Sequence, residues 1–598
     1  MREVSRLPRN TFEEDESLRL KFGKKEILKS AHYIGRYKWR MLLALLLSAL
    51  SSVIALTGPL IMKHAVDVNI PAGDVKGVIW LSVLLAGTVA VSTVLNMVRG
   101  KMIARVGQDV VHNIRHDIFE KLQLLPFSYY DSRPQGKILI RVIHYVNSVA
   151  DMLSNGIVNI LVELLNILFI IGFMFVVDAR LALVILIGVP IFAVVIFIIK
   201  PAQRRAWQGV SNKTSNINAF VQEAVEGVSV TQIFGRQRQN RKVMERLTVA
   251  ARKTWFKAIY VTNMVWFSVE TISQIAFSLV FIAGILWINP PVLFGTVLAM
   301  GTYSQNLWKP ITNLANLYNN FINAIAYLER VYETIDEPVT VQDRPGAKAL
   351  PPVKGAVEFR HVSFEYEPGQ RILKDVSFIA RPGESIALVG PTGAGKSTVI
   401  NLLSRFYNID MGQVLIDGQD IMDVTLPSLR SQMGIMMQDS FIFSGTIADN
   451  IRYGKLDASD WEVEQAARTV CAHDFISHLK RGYETEVGAR GGGLSQGQRQ
   501  LISFARTVIA DPRVLILDEA TSSIDTETER LVQEGLSRLL EGRTSFIVAH
   551  RLSTIRHCDR ILYIKDGEIA ESGSHEELMA KQGLYYHLYT AQLIQKES

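Results

Sequence analysis

The sequence predicts two parts of different class: an all-α membrane domain with six spans, followed by an α/β phosphate-loop domain. Three observations lead there. Long apolar blocks with few charges fill the N-terminal half of a 598-residue chain that is 48% hydrophobic overall. Arg and Lys gather in two long segments between those blocks. Further on, Gly390-Pro391-Thr392-Gly393-Ala394-Gly395-Lys396-Ser397 fits the G-x-x-x-x-G-K-[ST] phosphate loop.

Residues 1–30 read as a charged cytosolic tail with an acidic cluster at Glu13 to Glu16. No short apolar region with a small-residue cleavage site is present, so this is not a secretory signal. An amphipathic helix on the inner leaflet is expected near Ile27 to Tyr37. The membrane domain is placed at 31–335. A span needs about 20 apolar residues, and six are read at 39–61, 78–98, 155–177, 181–200, 264–288 and 289–308. Met41 to Met62 carries no charge. The sixth is interrupted by Gly295, Gly301 and polar residues, and Pro290 and Pro291 predict a tight turn before it.

Charge placement sets the orientation. Arg99 to Arg141 and Lys200 to Lys257 are rich in Arg and Lys, while the connections around Asp178 and Asn289 carry almost none. The positive-inside bias makes both long loops and both termini cytosolic. These loops account for the net charge of +7, so no nucleic-acid partner is needed. They are too long for turns and read as helical extensions of the spans. Each has a turn-like tip, at 125–136 and 226–235, with aromatics suited to docking. Residues 336–354 hold Pro338, Pro345, Pro351 and Pro352 and read as a linker.

The last domain, 355–598, carries the chemistry. Ile386 to Val389 reads as a buried strand before the phosphate loop, and Thr398 to Leu403 as a helix start after it. Glycines let backbone N–H groups close around phosphates, and the helix N-terminus favours negative charge. Val514 to Leu517 is an aliphatic run that ends in Asp518-Glu519. Ligands gather at the carboxyl ends of such parallel strands. Asp518 suits holding Mg²⁺, and Glu519 suits polarising an attacking water.

Between these motifs lies Leu494-Ser495-Gln496-Gly497-Gln498. With it, the chain from about Gly355 onward resembles the ATP-binding-cassette (ABC) family, whose signature is usually written LSGGQ. The resemblance implies an exporter-type half-transporter: a six-span membrane domain fused to a phosphate-loop ATPase domain with an antiparallel β subdomain. It implies that ATP and Mg²⁺ are bound and ATP is hydrolysed. Tyr366 matches the aromatic that stacks on adenine. Gln438 matches the loop glutamine that senses Mg²⁺ and water, and Ser397 joins it and Asp518 at the metal. Thr398 follows in the phosphate loop. Asp525 matches the loop that crosses to the partner, and His550 the switch histidine on the γ-phosphate. Ser495, Gly497 and Gln498 would face the nucleotide of the other subunit. Glu519, His550 and Gln438 are thus the implied catalytic group, and a dimer is required. The tips at 125–136 and 226–235 resemble the coupling helices of ABC exporters.

Two departures bear on the partner. Gln496 stands where Gly is usual, and Ala489 where Glu is common. Heterodimeric exporters often pair one subunit with an altered signature with a second of the reverse kind. A heterodimer with a second half-transporter is therefore favoured over a homodimer.

Cargo signals are sparser. Asn263, Glu270 and Gln274 share a face of the fifth span, close to Phe277 and Phe281. A carboxylate among aromatics suits a lipophilic cation. Glu163 on the third span invites the same reading. Asn306, Asn313, Asn316, Asn320 and Asn323 form one helical stripe. The expectation is export of lipophilic, multidrug-type small molecules from the bacterial inner membrane. A lipid flippase is the alternative, disfavoured for acidic lipids because no Arg or Lys sits deep in the spans. Half of a siderophore or peptide transporter is another. A soluble ABC ATPase is excluded by the spans, and intact Glu519 argues against a gated channel. Cys471 and Cys558, the only cysteines, fall in the cytosolic domain and read as reduced thiols.

Overall fold

The computed structural model describes residue 29 and residues 32–133, 135–287, 292–367, 369–436, 440–518, 526–548 and 555–597. The chain divides into two compact units. One comprises Met1–Gln123 and Gln135–Glu337, the other Leu124–Pro134 and Pro338–Ser598.

The first unit is helical. Five of its helical segments are long and apolar enough to cross a membrane: Lys38–Asn69, Val75–Leu124, Ile138–Val177, Ala179–Glu226 and Gln237–Leu286. Several far exceed a bilayer. Val75–Leu124 has 50 residues, or about 75 Å at the α-helical rise, against about 30 Å of hydrocarbon. The expected helical extensions follow from that excess. Ile103, Val106, Val110, Ile114 and Ile118 bury one stripe of this helix. Most of that stripe packs on Val146, Val149, Leu153, Leu328 and Val331.

The expected sixth span is a helix, Phe294–Ile335, but it is not among the five apolar enough to count by composition. Its inner face is nonetheless buried, through Val297, Met300, Tyr303 and Leu307. The glycines that interrupt it are contact points: a Cβ on Gly301 would lie 2.7 Å from the Phe277 ring. Gly295 donates its N–H to Asp67 at 2.6 Å. The expected Pro290–Pro291 turn lies outside the described residues.

The N-terminal expectation changes. The described residues 32–37 do not present their apolar side chains to a leaflet. Tyr33, Ile34 and Tyr37 pack on the helical core around Val110 and Ile114, and Tyr33 donates its hydroxyl to Asp117 at 2.6 Å. Burying the aromatics against helix is favourable enough to hold this segment on the bundle.

The second unit is α/β. Its strands are β1 (Val357–Glu365), β2 (Arg371–Ala380), β3 (Ser385–Val389), β4 (Met411–Ile416), β5 (Gln419–Asp420), β6 (Met433–Met436), β7 (Gly445–Thr446), β8 (Glu486–Val487), β9 (Val514–Asp518), β10 (Thr544–Val548), β11 (Arg560–Lys565) and β12 (Glu568–Gly573). The central sheet runs β12-β11-β3-β10-β9-β6. All its pairings are parallel except β11 with β12. A separate antiparallel sheet runs β2-β1-β4-β5, which is the expected antiparallel subdomain. β3, β9 and β10 are almost wholly buried, as aliphatic strands of a sheet covered on both faces must be.

Candidate functional site

The phosphate loop leaves the carboxyl end of β3 and enters the helix Lys396–Leu403. Gly390, Gly393 and Gly395 have φ of 142°, 82° and 106°. A Cβ on Gly390 would stand 2.1 Å from the Ile564 carbonyl oxygen, so only glycine fits where the loop passes β11. Pro391, Thr392, Gly393 and Ser397 are exposed, while Ala394, Gly395, Lys396 and Thr398 are buried. Lys396 donates its ammonium to the Gly390 and Pro391 carbonyls at 2.8 and 2.9 Å. Burial pushes its pKa down, and the nearby Asp518 carboxylate pulls it back up.

Sheet register brings the ends of three further strands to one edge. Val548 at the end of β10 pairs with both Leu388 of β3 and Asp518 of β9. Met436 at the end of β6 pairs with Leu517. The chain continues past those ends to Glu519, to His550 and to Gln438, which lie outside the described residues, as does Asp525. Asp518 is placed at the strand end, partly exposed.

Tyr366 projects an exposed ring beside the loop helix. Its hydroxyl donates to Thr398 Oγ1 at 3.3 Å and accepts from Asn401 at 3.2 Å. Phe364 and Tyr407 meet it edge-on, with centroids 4.9 and 5.0 Å away. Ser495 caps the helix Gln496–Ile509 in a capping box. Its Oγ accepts from Gln498 N at 3.2 Å, and Gln498 Oε1 accepts from Ser495 N at 2.9 Å. The S-x-x-Q spacing dictates this, so the Gln498 side chain serves its own helix. Gly497 is buried behind it.

The loop can hold a nucleotide: its backbone makes a cradle that side chains would fill, with a cation and a helix N-terminus at hand. Among the described residues, no cluster of three or more His, Cys, Asp or Glu could hold a metal by itself. The Ser397 hydroxyl and the Asp518 carboxylate are hard oxygen donors, the kind that hold Mg²⁺ together with phosphate oxygens.

The first cytosolic tip uses the aromatics expected for docking, on partners that the sequence analysis did not single out. The helix Phe127–Asp131 belongs to the nucleotide-binding unit. Phe127 stacks on Phe406 at 5.0 Å, and Tyr407 donates its hydroxyl to Asp131 at 2.6 Å. Phe406 and Tyr407 follow the loop helix directly, so one aromatic group joins this tip to Tyr366. The tip's own aromatics signalled docking, and the pair Phe406-Tyr407 after a helix end is the sequence signal for its partner.

In the membrane unit, Glu163 is half-buried and accepts from Asn313 at 2.7 Å and from Asn166 at 3.3 Å. It lines a cavity of about 380 Å³ with Arg99, Asn159, Asn166, Asn313 and Asn316. The fifth-span candidates are not part of it. Asn263, Glu270 and Gln274 are exposed on this chain, and Gln274 donates to Glu270 at 2.8 Å. Phe277 and Phe281 contact each other at 4.9 Å. Of the Asn stripe, Asn313 and Asn316 reach the cavity and Asn306 is exposed, while the side chains of Asn320 and Asn323 lie outside the described set. Arg99 was counted in sequence only as a loop charge.

A nucleotide cradle at the carboxyl edge of a parallel sheet, fused to apolar spans, defines an ATP-driven membrane transporter. Residues 41–310 match the ABC transporter transmembrane region and residues 373–522 the ABC transporter domain, and the chain belongs to the ABC transporter family. It is 38% identical to a fatty acid ABC transporter ATP-binding/permease protein of Mycobacterium tuberculosis, over 81% of this chain and 76% of that protein. It is 36% identical to YgaD of Bacillus subtilis, named provisionally as a multidrug export ATP-binding/permease protein, over 94% and 98%. Among solved structures, a bacterial Atm1-family ABC exporter with ATP bound matches with a TM-score of 0.77 and 29% identity, over 93% of this chain and 98% of that one. The chain is a multi-pass membrane protein of exporter type with a cytosolic ATPase domain, and it hydrolyses ATP to drive transport. Its half-transporter architecture implies a dimer.

Proposed function

We propose that this chain exports lipophilic small molecules across the bacterial inner membrane by alternating access, as one half of a heterodimer. The observation that carries the cargo reading is the cavity beside Glu163. Its volume of about 380 Å³ suits a small molecule, and polar groups line it among otherwise apolar spans. One relative is named for fatty acids, a cargo with an apolar body, and another for multidrug export. A flippase is the second reading, favoured by Arg99 on the cavity wall.

In the ATPase domain, Tyr366 stacks on adenine, and the loop from Gly390 to Thr398 holds the phosphates with Lys396 neutralising charge. Ser397, Asp518 and Gln438 would hold Mg²⁺, which would stabilise the negative charge of the phosphates. Glu519 takes the proton of the attacking water, and His550 and Gln438 hold the reacting groups in line. Ser495, Gly497 and Gln498 approach the nucleotide of the second subunit, and Asp525 crosses to it. Gln496 is the mark of the asymmetric pair.

The test is vanadate-sensitive ATPase of the chain purified alone in lipid, with and without lipophilic cations. Low turnover that rises on co-expression with a second half-transporter supports the heterodimer. Strong cation-stimulated turnover by the lone chain makes it a homodimeric drug exporter instead.

A further inference from the structure

The cavity in the membrane unit carries more than a volume. Its wall holds one carboxylate, Glu163, and one guanidinium, Arg99, together with the amides of Asn159, Asn166, Asn313 and Asn316. Glu163 is satisfied by amide donors from Asn313 and Asn166, and Ser52 in turn donates to Asn166 at 2.5 Å. That chain of bonds fixes the carboxylate without neutralising it. Arg99 reaches only Ser48 Oγ, at 3.5 Å, and its buried Nε has no hydrogen-bond partner among the described residues. No ion pair joins Arg99 to Glu163 among the described residues. Lys200 stands behind the same wall, donating to Asn316 at 2.9 Å.

A second cavity, of about 540 Å³, shares Asn159 and Leu317 with the first and adds Asp151 and Asn155. Asn155 donates to Asp151 at 2.6 Å. Asp151, Asn155, Asn159 and Glu163 therefore recur every fourth residue as one polar stripe along a helical segment, Val146–Val177, interrupted by one π turn at Met152–Gly156. π turns of this kind often mark functional sites. A carboxylate and a guanidinium that line one half-apolar cavity with no ion pair between them among the described residues are expensive in a membrane unless a ligand meets both.

We propose that this cavity is a headgroup site for a zwitterionic amphiphile. The cationic end of the ligand meets Glu163, its anionic end meets Arg99, and the asparagine amides hydrogen-bond between them. The proposal rests on the export reading and narrows its cargo from lipophilic to amphipathic with a paired-charge head.

Three radiolabelled probes with one dodecyl tail test it: dodecylphosphocholine, dodecyltrimethylammonium and dodecyl phosphate. Binding is measured to the full chain in nanodiscs, with partition into empty discs subtracted. The zwitterion should bind about tenfold more tightly than either single-charge probe. Glu163→Gln should erase its advantage over the anion, and Arg99→Gln its advantage over the cation. Arg99→Lys should retain the preference, which separates lost charge from lost folding. A zwitterion no tighter than both other probes overturns the site, as does a ranking that neither variant changes. ATP-driven uptake into inside-out vesicles, with any second half-transporter present, divides the two readings. Transport of a lipophilic cation with no zwitterion preference sinks the headgroup site alone. Zwitterion preference without ATP-driven uptake of any probe sinks export alone.

Discussion

The two units keep their chemistry at very different distances along the chain. In the nucleotide-binding unit, Lys396 finds its partners Gly390 and Pro391 six and five residues away. In the membrane unit, Glu163 finds Asn313 across 150 residues, and Tyr303 finds the Leu56 carbonyl across 247. A local loop is set by glycines and one strand-to-helix turn, so few neighbours can disturb it. A polar contact between spans exists only if two long helices keep their rotation and register. Substitutions should therefore act on catalysis in the nucleotide-binding unit and on helix packing in the membrane unit.

The largest effect expected is at Glu519. Glu519→Gln should lower ATP turnover by about 10²–10⁴-fold while nucleotide stays bound, read by single-turnover hydrolysis and by trapping of the closed dimer. Wild-type turnover would remove Glu519 from the role of base. Lys396→Ala should act earlier, weakening nucleotide binding by roughly 10²-fold through loss of a partly desolvated charge; titration with a fluorescent ATP analogue measures it. Without nucleotide, neither variant should alter elution or thermal stability of the membrane unit. If either does, the separation between local and distributed chemistry is wrong.

Gly390→Ala probes the same loop through its backbone. The left-handed φ and the Ile564 oxygen 2.1 Å from the added Cβ should cost roughly 1–3 kcal/mol, seen as a lower thermal midpoint of the nucleotide-binding unit. Gly393→Ala, with nothing within 4 Å of its Cβ, should cost less because only the φ strain remains. Equal losses at the two positions would mean that the close approach to β11 is not the cause.

What could be read in advance follows the same division. The phosphate loop and the aliphatic run into Asp518 were legible because each is a short pattern with its geometry built in, whereas the Ser495 cap was not drawn from its S-x-x-Q spacing. The spans were legible from length and charge placement. The contents of the cavity were not. Asn263, Glu270 and Gln274 share a helical face, but periodicity cannot say what that face meets, and on this chain they are exposed. Arg99 closes a span in sequence and lines a cavity in space. The sixth helix was the hardest to read because glycines and polar residues interrupt its apolar run, although Val297, Met300, Tyr303 and Leu307 bury its inner face.

Within the membrane unit, Tyr303→Phe is the cleanest probe of register. The buried hydroxyl donates to the Leu56 carbonyl at 2.6 Å, at the point where Lys38–Leu56 gives way to the helix Gly58–His64. Removing it should cost about 1 kcal/mol, since hydrogen bonds between membrane helices average less than that and rarely reach twice it. The loss should appear as reduced thermal stability in lipid with nucleotide affinity unchanged. A change in nucleotide affinity instead would join the two units more tightly than the comparison allows.

The smallest effect tests where the comparison should blur, at the tip helix Phe127–Asp131 that belongs to the nucleotide-binding unit yet lies between the long membrane-unit helices in sequence. Burial first, and the Asp131 carboxylate second, push the Tyr407 hydroxyl well above its ordinary pKa. It therefore stays protonated through the neutral range and donates to Asp131 at 2.6 Å. Tyr407→Phe keeps the ring against Tyr366 and Phe364 and removes only that bond, worth about 1 kcal/mol. If the bond transmits nucleotide occupancy to the spans, the ratio of cargo-stimulated to basal ATPase should fall about fivefold, by the same energy. Asp131→Ala should lower it equally, and the double variant should do no more than either alone, because partners in one bond are not additive. Additive losses would assign the two residues separate roles and leave the tip held by Phe127 on Phe406 alone.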